Sequence, residues 1–168
     1  IEREDFREEA NRKFFRLKLG KEVRLKNAYI IKAESVEKDN NGKIKTVFCT
    51  YDPLSKSGSG TEESQRKVKG TLHWVSEEHA HQIQVRNYDR LFSDPNPDGH
   101  KDVDFTSFLN ENSLSEQQAF TEPNIGKPLP GKNYQFQRQG YYVVDPDSTE
   151  TNIIFNRTVG LRDNWSKK

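Results

Sequence analysis

Two stretches of this chain gather side chains able to read the edges of nucleobases. Between Arg12 and Lys26 lie Arg12, Lys13, Arg16, Lys18, Lys21, Arg24 and Lys26, with Phe14 and Phe15 among them; the second stretch holds Tyr134, Gln135, Phe136 and Arg138. A guanidinium is a planar fork that bonds two acceptors of guanine at once. A glutamine amide sets one donor beside one acceptor and so matches the mixed edge of uracil. Such edges are exposed in single-stranded RNA loops once the bases unstack, and aromatic or guanidinium planes hold them apart. Gln135 and Arg138 stand three positions apart and face opposite sides of a regular strand. Their joint use requires a bulge, or a strand end near Gly140. Tyr134, Phe136, Trp74 and Trp165 read as core side chains rather than stacking surfaces.

The charge distribution supports a bounded contact with phosphates. Net charge is only +1, yet eight basic residues from Arg12 to Lys32 face the single acid Glu22, while acids dominate Glu2 to Glu9. A locally basic surface on a nearly neutral chain implies a confined site, not bulk attraction to nucleic acid. Catalytic constellations are scarce. His73, His79, His81 and His100 do not combine with the lone Cys49 in any zinc spacing, so no metal site is expected. Cys49 cannot form an intramolecular disulfide, which points to a reducing cytoplasm, and it is expected as a small buried residue on a strand. Ser57-Gly58-Ser59-Gly60 lacks the lysine ending of a phosphate-binding loop and reads as flexible.

These residues need a scaffold. At 168 residues, 31% hydrophobic and 32% charged, the chain fits one ordinary domain or two small cores. It has no apolar run near the ~18 residues of a membrane span and no export signal. Beginning at Ile1 and lacking methionine, it reads as a fragment cut from something longer. Asp5 followed by Glu8, with Phe6, Ala10 and Phe14 on one face, predicts a helix from Asp5 to Arg16 that ends by Gly20. From Val23 the period changes to two: Val23 and Leu25, then Tyr29, Ile31 and Ala33, with an irregularity at Asn27-Ala28. Asn40-Asn41-Gly42 predicts a hairpin into Ile44 to Tyr51. Pro53 to Gln65 reads as an exposed loop without structure. Further strands are expected at Lys67 to Trp74, Gln82 to Tyr88, Ala119 to Glu122, Tyr134 to Val144 and Asn152 to Val159, with at most a short helix at Phe105 to Leu109. Many short, mostly antiparallel strands separated by turns point to small closed barrels, which leave no open edges.

Four segments carry a resemblance: Gly70-Thr71-Leu72-His73-Trp74-Val75-Ser76, Val85-Arg86-Asn87-Tyr88-Asp89-Arg90-Leu91-Phe92, Tyr134-Gln135-Phe136-Gln137-Arg138-Gln139-Gly140-Tyr141-Tyr142 and Phe155-Asn156-Arg157-Thr158-Val159-Gly160-Leu161-Arg162-Asp163. In that order they resemble the C-terminal anticodon-binding module of bacterial-type glutaminyl-tRNA synthetases. The resemblance spans nearly the whole chain, and its last segment is the most specific. It implies a mainly β fold of two small closed six-stranded barrels that exchange N-terminal strands, with 1–168 one module whose upstream strands are missing and whose internal boundary is open. The last segment would help connect the barrels with the catalytic body.

The resemblance also implies roles. Arg16 matches the residue that reads the third anticodon base, a guanosine; Arg24 and Lys26 match the first-base pocket, and Gln135 and Arg138 the middle uridine, with Arg12 and Lys13 as supporting basic surface. Lys13 and Phe15 depart from the amide or basic residues common in the family, Lys26 replaces a common arginine, and a further middle-base arginine lies upstream of Ile1. The implied partners are the anticodon loop of glutamine tRNA and the catalytic part of the same chain, with no membrane and no DNA. The fragment would hold no catalytic residue, no metal and no cofactor; ATP would serve the catalytic domain of a full-length cytoplasmic ligase. Leu54-Ser55-Lys56-Ser57 looks like the tail of the ATP loop of such enzymes, but no parallel β-α-β pattern accompanies it, and it reads as coincidence. Alternatives are the same module of an archaeal or eukaryotic glutamyl enzyme, a stand-alone ribosomal RNA-binding barrel, or a structural appendage.

Overall fold

The computed structural model describes residues 1–161, and the chain divides between Trp74 and Val75 into two units. The first holds a 3-10 turn (Arg3–Asp5), β1 (Phe6–Arg7), β2 (Leu17–Lys18), β3 (Glu22–Leu25), β4 (Ile30–Lys38), β5 (Ile44–Tyr51), a 3-10 turn (Pro53–Ser55), the four-residue helix α1 (Glu62–Gln65) and β6 (Thr71–Leu72). Its sheet runs β5-β4-β3-β6, antiparallel except for the β3–β6 pair. Phe6, Leu17, Val23, Ala33 and Leu72 form the core. The Asn-Asn-Gly hairpin is as expected: Gly42 takes φ 76°, and the Asp39 carboxylate accepts from the amides of Asn41 and Lys43 at 2.9 Å each. The irregularity at Asn27-Ala28 is a turn with Asn27 at φ 56°.

Gly70 joins the first turns of the chain to this sheet. Its φ is +105°, and a Cβ there would lie 2.0 Å from the carbonyl oxygen of Phe15. Only glycine allows the two backbones to approach so closely. Leu72 then fills the core, and the Trp74 indole donates to the Lys26 carbonyl at 3.0 Å.

In the second unit, β7 (His81–Tyr88), β8 (Leu114–Thr121), β9 (Asn133–Phe136), β10 (Gly140–Val144) and β11 (Ile154–Gly160) make a sheet of order β8-β7-β11-β10-β9. Only β7–β11 is parallel. Ile83, Val85, Tyr142, Val144 and Phe155 form its core. Short 3-10 turns lie at Pro97–Gly99, Phe105–Phe108 and Pro123–Ile125.

A polar cluster fixes the parallel pair. The ladder places Asn156 opposite Arg86, and both side chains converge on the buried Asp145: Arg86 Nη1 donates at 3.0 Å and Asn156 Nδ2 at 2.5 Å. Arg86 also reaches Glu116 at 2.9 Å and Asp147 at 3.1 Å, and the Tyr88 hydroxyl donates to Asn156 at 3.1 Å. The amide of Asp147, then Asn156 and Arg86, hold the Asp145 carboxyl below the usual range against the opposing effect of burial.

Several expectations are corrected. The helix from Asp5 to Arg16 is absent; that stretch forms the 3-10 turn, β1, bends and a turn before β2. A continuous helix would place Asp5 and Arg16 about 16 Å apart, whereas Asp5 Oδ1 lies 3.4 Å from Arg16 Nε. Phe6 instead pairs with Leu17 across a parallel bridge. Such a short helix is marginal alone, and these contacts override its start signal. The fold is mainly β, but among the described residues the sheets have two, four and five strands and no ladder joins the outer strands of the larger two. Closed six-stranded barrels are not found.

The segment after Pro53 is ordered rather than unstructured, with Asp52 and Thr61 capping its two turns and Ser55 fully buried. In the stretch expected as a strand from Lys67 only Thr71–Leu72 is one, and Tyr134 to Val144 is a hairpin. Cys49 lies on a strand but is exposed, because β5 is an edge strand whose last four residues are left uncovered on both faces. Arg162, Asp163 and Trp165 lie outside the described residues.

Two measurements test this account. In urea unfolding, Gly70→Ala should lose ~3 kcal/mol or more, because backbone has to move. Gly42→Ala, whose Cβ meets nothing within 4 Å, should lose only ~1 kcal/mol from its left-handed φ. Because the folded Asp145 pKa is depressed, its contribution is present above the unfolded value and is lost as pH falls through the folded one. Stability should therefore drop from pH 7 to 3, and Asp145→Asn should shrink that drop; an unchanged pH profile would count against the cluster.

Candidate nucleic-acid interface

The basic segment of the first unit is displayed on turns. Phe14 N donates to the Asn11 carbonyl at 3.2 Å and Lys13 N to the Asn11 side chain at 3.0 Å, which leaves Arg12, Lys13 and Phe15 exposed. Phe14 is half-buried, with the Arg7 guanidinium 4.9 Å from its ring centroid. Arg16 is gripped along one side: Nη1 donates to the Glu4 carbonyl at 3.1 Å, and Nε lies 3.4 Å from Asp5. With 39% of its side chain exposed, Arg16 is both anchored and accessible. The Lys18 ammonium donates to the Ala10 carbonyl at 3.2 Å.

Arg24 and Lys26, neighbours in sequence reasoning, play different parts. The Arg24 guanidinium donates to the carbonyls of Ser55 at 2.8 Å, Ser64 at 2.9 Å and Arg66 at 3.2 Å, and to the Ser57 hydroxyl at 3.2 Å. A planar fork suits this divergent set of acceptors. It binds the segment from Ser55 to Arg66 to β3. Lys26 follows the end of β3, where its amide donates to the Leu72 carbonyl at 2.9 Å. Among the described residues its ammonium has no ion-pair partner.

In the second unit Gln135 and Arg138 share the β9–β10 hairpin. Tyr134 and Phe136 pack inward on Phe155, at 5.5 and 5.1 Å between ring centroids, so Gln135 between them faces outward and is exposed. Arg138 sits exposed in the turn closed by Gln139 N donating to the Phe136 carbonyl at 3.0 Å. The strand end that their spacing requires is therefore present. Arg138 has φ +68°, a left-handed position where glycine or asparagine is usual. Tyr134 and Phe136 pack against the core, as expected, and Trp74 is half-buried.

Sequence reasoning missed Lys69, whose ammonium lies 5.9 Å from the Phe15 ring centroid, and the clamping role of Arg24. The first is set by the Gly70 approach, which pattern alone does not reveal. Among the described residues no group of three or more His, Cys, Asp or Glu side chains is placed to hold a metal ion, and no helix is long and apolar enough to cross a membrane. Partial burial and the neighbouring Glu34 push the Cys49 thiol up, away from nucleophilic use.

Comparison with known proteins bears on both units. A family model described as the anticodon-binding domain of class I tRNA synthetases (E and Q) matches residues 71–145, and a second with the same description matches residues 1–52. A glutamine–tRNA ligase of Rhodopirellula baltica is 56% identical over 168 residues, which cover 99% of this chain and 28% of that protein. A glutamine–tRNA ligase of Escherichia coli is 55% identical over 168 residues, 99% of this chain and 30% of its own length. The chain thus spans less than a third of these relatives.

The hairpin turn yields a stability test. Arg138→Gly removes the penalty of a side chain at positive φ, and thermal or urea unfolding should show a gain of roughly 0.5–1 kcal/mol. A loss would mean that Arg138 contacts outweigh the strained backbone.

Proposed function

This chain belongs to the anticodon-binding domains of class I glutamyl- and glutaminyl-tRNA synthetases, and on that premise we propose that it recognises the anticodon of glutamine tRNA as the C-terminal part of a glutamine–tRNA ligase. The observation that carries the reading is the 56% identity sustained over 99% of the chain. In this reading the remainder of a longer cytoplasmic protein attaches glutamine to its tRNA in an ATP-driven two-step reaction. The present residues supply recognition only. Their partners are the anticodon loop and the catalytic part of the same protein. Strands from that remainder would add to the open sheet edges and complete two six-stranded barrels over 1–168.

The geometry supports a division of labour. Arg16 reads the third base, a guanosine: Glu4 and Asp5 hold one side of its fork, so much of its rotamer freedom is lost before RNA arrives. Arg24 shapes the first-base pocket by fastening its wall, and the Lys26 ammonium faces the base. Gln135 and Arg138 flank the middle uridine from the β9–β10 hairpin. Arg12 and Lys13, exposed on the turn, meet phosphates.

In the full-length ligase, Arg16→Ala should lose roughly 1–3 kcal/mol of discrimination at the third anticodon base, as for a lost bidentate contact. Lys13→Ala should weaken binding of all tRNAs alike and flatten the dependence of affinity on salt. Steady-state aminoacylation of tRNAs altered at that base decides the matter. If both variants lose affinity without a change in base preference, Arg16 belongs only to the electrostatic surface.

A further inference from the structure

Phe15 is out of keeping with its surroundings. It is 54% exposed within a segment rich in exposed cations, and it stands where the resemblance implies an amide or a basic residue. A solitary exposed phenylalanine is ordinary; this one is held in a particular way. Its carbonyl oxygen lies so close to Gly70 that a Cβ there would be only 2.0 Å away. The preceding Phe14 is fixed beneath Arg7, and the following Arg16 is bound to Glu4 and Asp5. The ring is thus presented on a backbone held at both neighbours, with two side-chain torsions left to order.

One cation contacts it and others lie close along the chain. The Lys69 ammonium is 5.9 Å from the ring centroid, at the outer limit of a cation–π contact, so its hold on the ring is weak. Lys13 and Lys67 are exposed nearby in sequence on the two segments that Gly70 brings together. An apolar aromatic plane flanked by ammonium groups is complementary to an unpaired base, whose π-face stacks and whose adjoining phosphates carry the charge.

We propose that Phe15 is a stacking platform for one unstacked base of the anticodon loop, with Lys69 and Lys13 holding the phosphates beside that base. The proposal rests on the tRNA-binding reading above and adds to it a residue that contributes affinity without base identity. Every base has a π-face, so Phe15 tolerates any base where Arg16 discriminates. In this proposal the Lys69 ammonium, which lies over the ring, turns to a phosphate when RNA binds.

The test uses the full-length ligase and glutamine tRNA transcripts carrying 2-aminopurine at each anticodon-loop position in turn. With the unaltered protein, one position should be quenched by stacking. Phe15→Ala should weaken tRNA binding about tenfold and abolish that quenching, with preference at the third anticodon base unchanged. Phe15→Tyr should restore both, and Phe15→Leu, apolar but not aromatic, should restore neither. Lys69→Ala should weaken binding while reducing its salt dependence. Each protein's thermal unfolding is compared, and Phe15 variants should melt with the parent because the ring is exposed. If the parent protein binds tRNA but Phe15→Leu matches it, or Phe15→Ala keeps affinity and quenching, the stacking role is wrong while the tRNA reading stands. Failure of the parent protein to bind tRNA overturns both.

Discussion

With 31% of its residues hydrophobic, each unit centres on five buried apolar side chains, too few to hold long connections by packing. Directional polar bonds must do it. In the first unit the Arg24 guanidinium bonds three carbonyls and a hydroxyl between Ser55 and Arg66, while the buried Ser55 hydroxyl accepts from the Ile30 amide at 2.8 Å. In the second, Asp145 collects Arg86, Asn156 and the Asp147 amide. A group such as the Asp145 carboxylate is costly to bury unless every partner is in place. Loss of one bond there disturbs several segments together.

This arrangement sorts the charges. Arginines whose forks face several acceptors, Arg24 and Arg86, are consumed by the fold. Arg66 likewise holds Glu22 through two bonds of 2.6 and 3.1 Å, which keeps that carboxyl below its usual range. What remains exposed from Arg12 to Lys26 is a small set of lysines and Arg12, beside Arg16, which is held on one side only. A nearly neutral chain can therefore present a basic face of limited extent, suited to a few nucleotides rather than to nucleic acid in bulk.

Elements with short-range causes were legible in the sequence. Asn40-Asn41-Gly42 encodes its own turn, and Ile83 and Val85 alternate onto one face of β7, where both are buried. The Asp5 to Arg16 helix failed because its start signal is local, whereas the Asp5–Arg16 ion pair and the Phe6–Leu17 bridge are tertiary. Order in the segment after Pro53 was hidden for the same reason, since the residue that fastens it, Arg24, lies some thirty positions earlier in the chain. The candidate site residues were legible as types, and their neighbours were not. Gln135 was identifiable by its amide and Arg138 by its charge, but neither the left-handed turn under Arg138 nor the Lys69–Phe15 contact leaves a pattern in composition or period.

The junction between Gly70 and the Phe15 carbonyl bears on how this surface diversifies. It joins two main chains and asks nothing of the side chains at positions 12, 13 and 15, which point outward. Drift at those positions is decoupled from folding, so mutation can sample new chemistry there without loss of the scaffold. Glycine at position 70 then acts as a fixed socket and the adjoining turn as an exchangeable insert, a modularity through which the surface can change one substitution at a time.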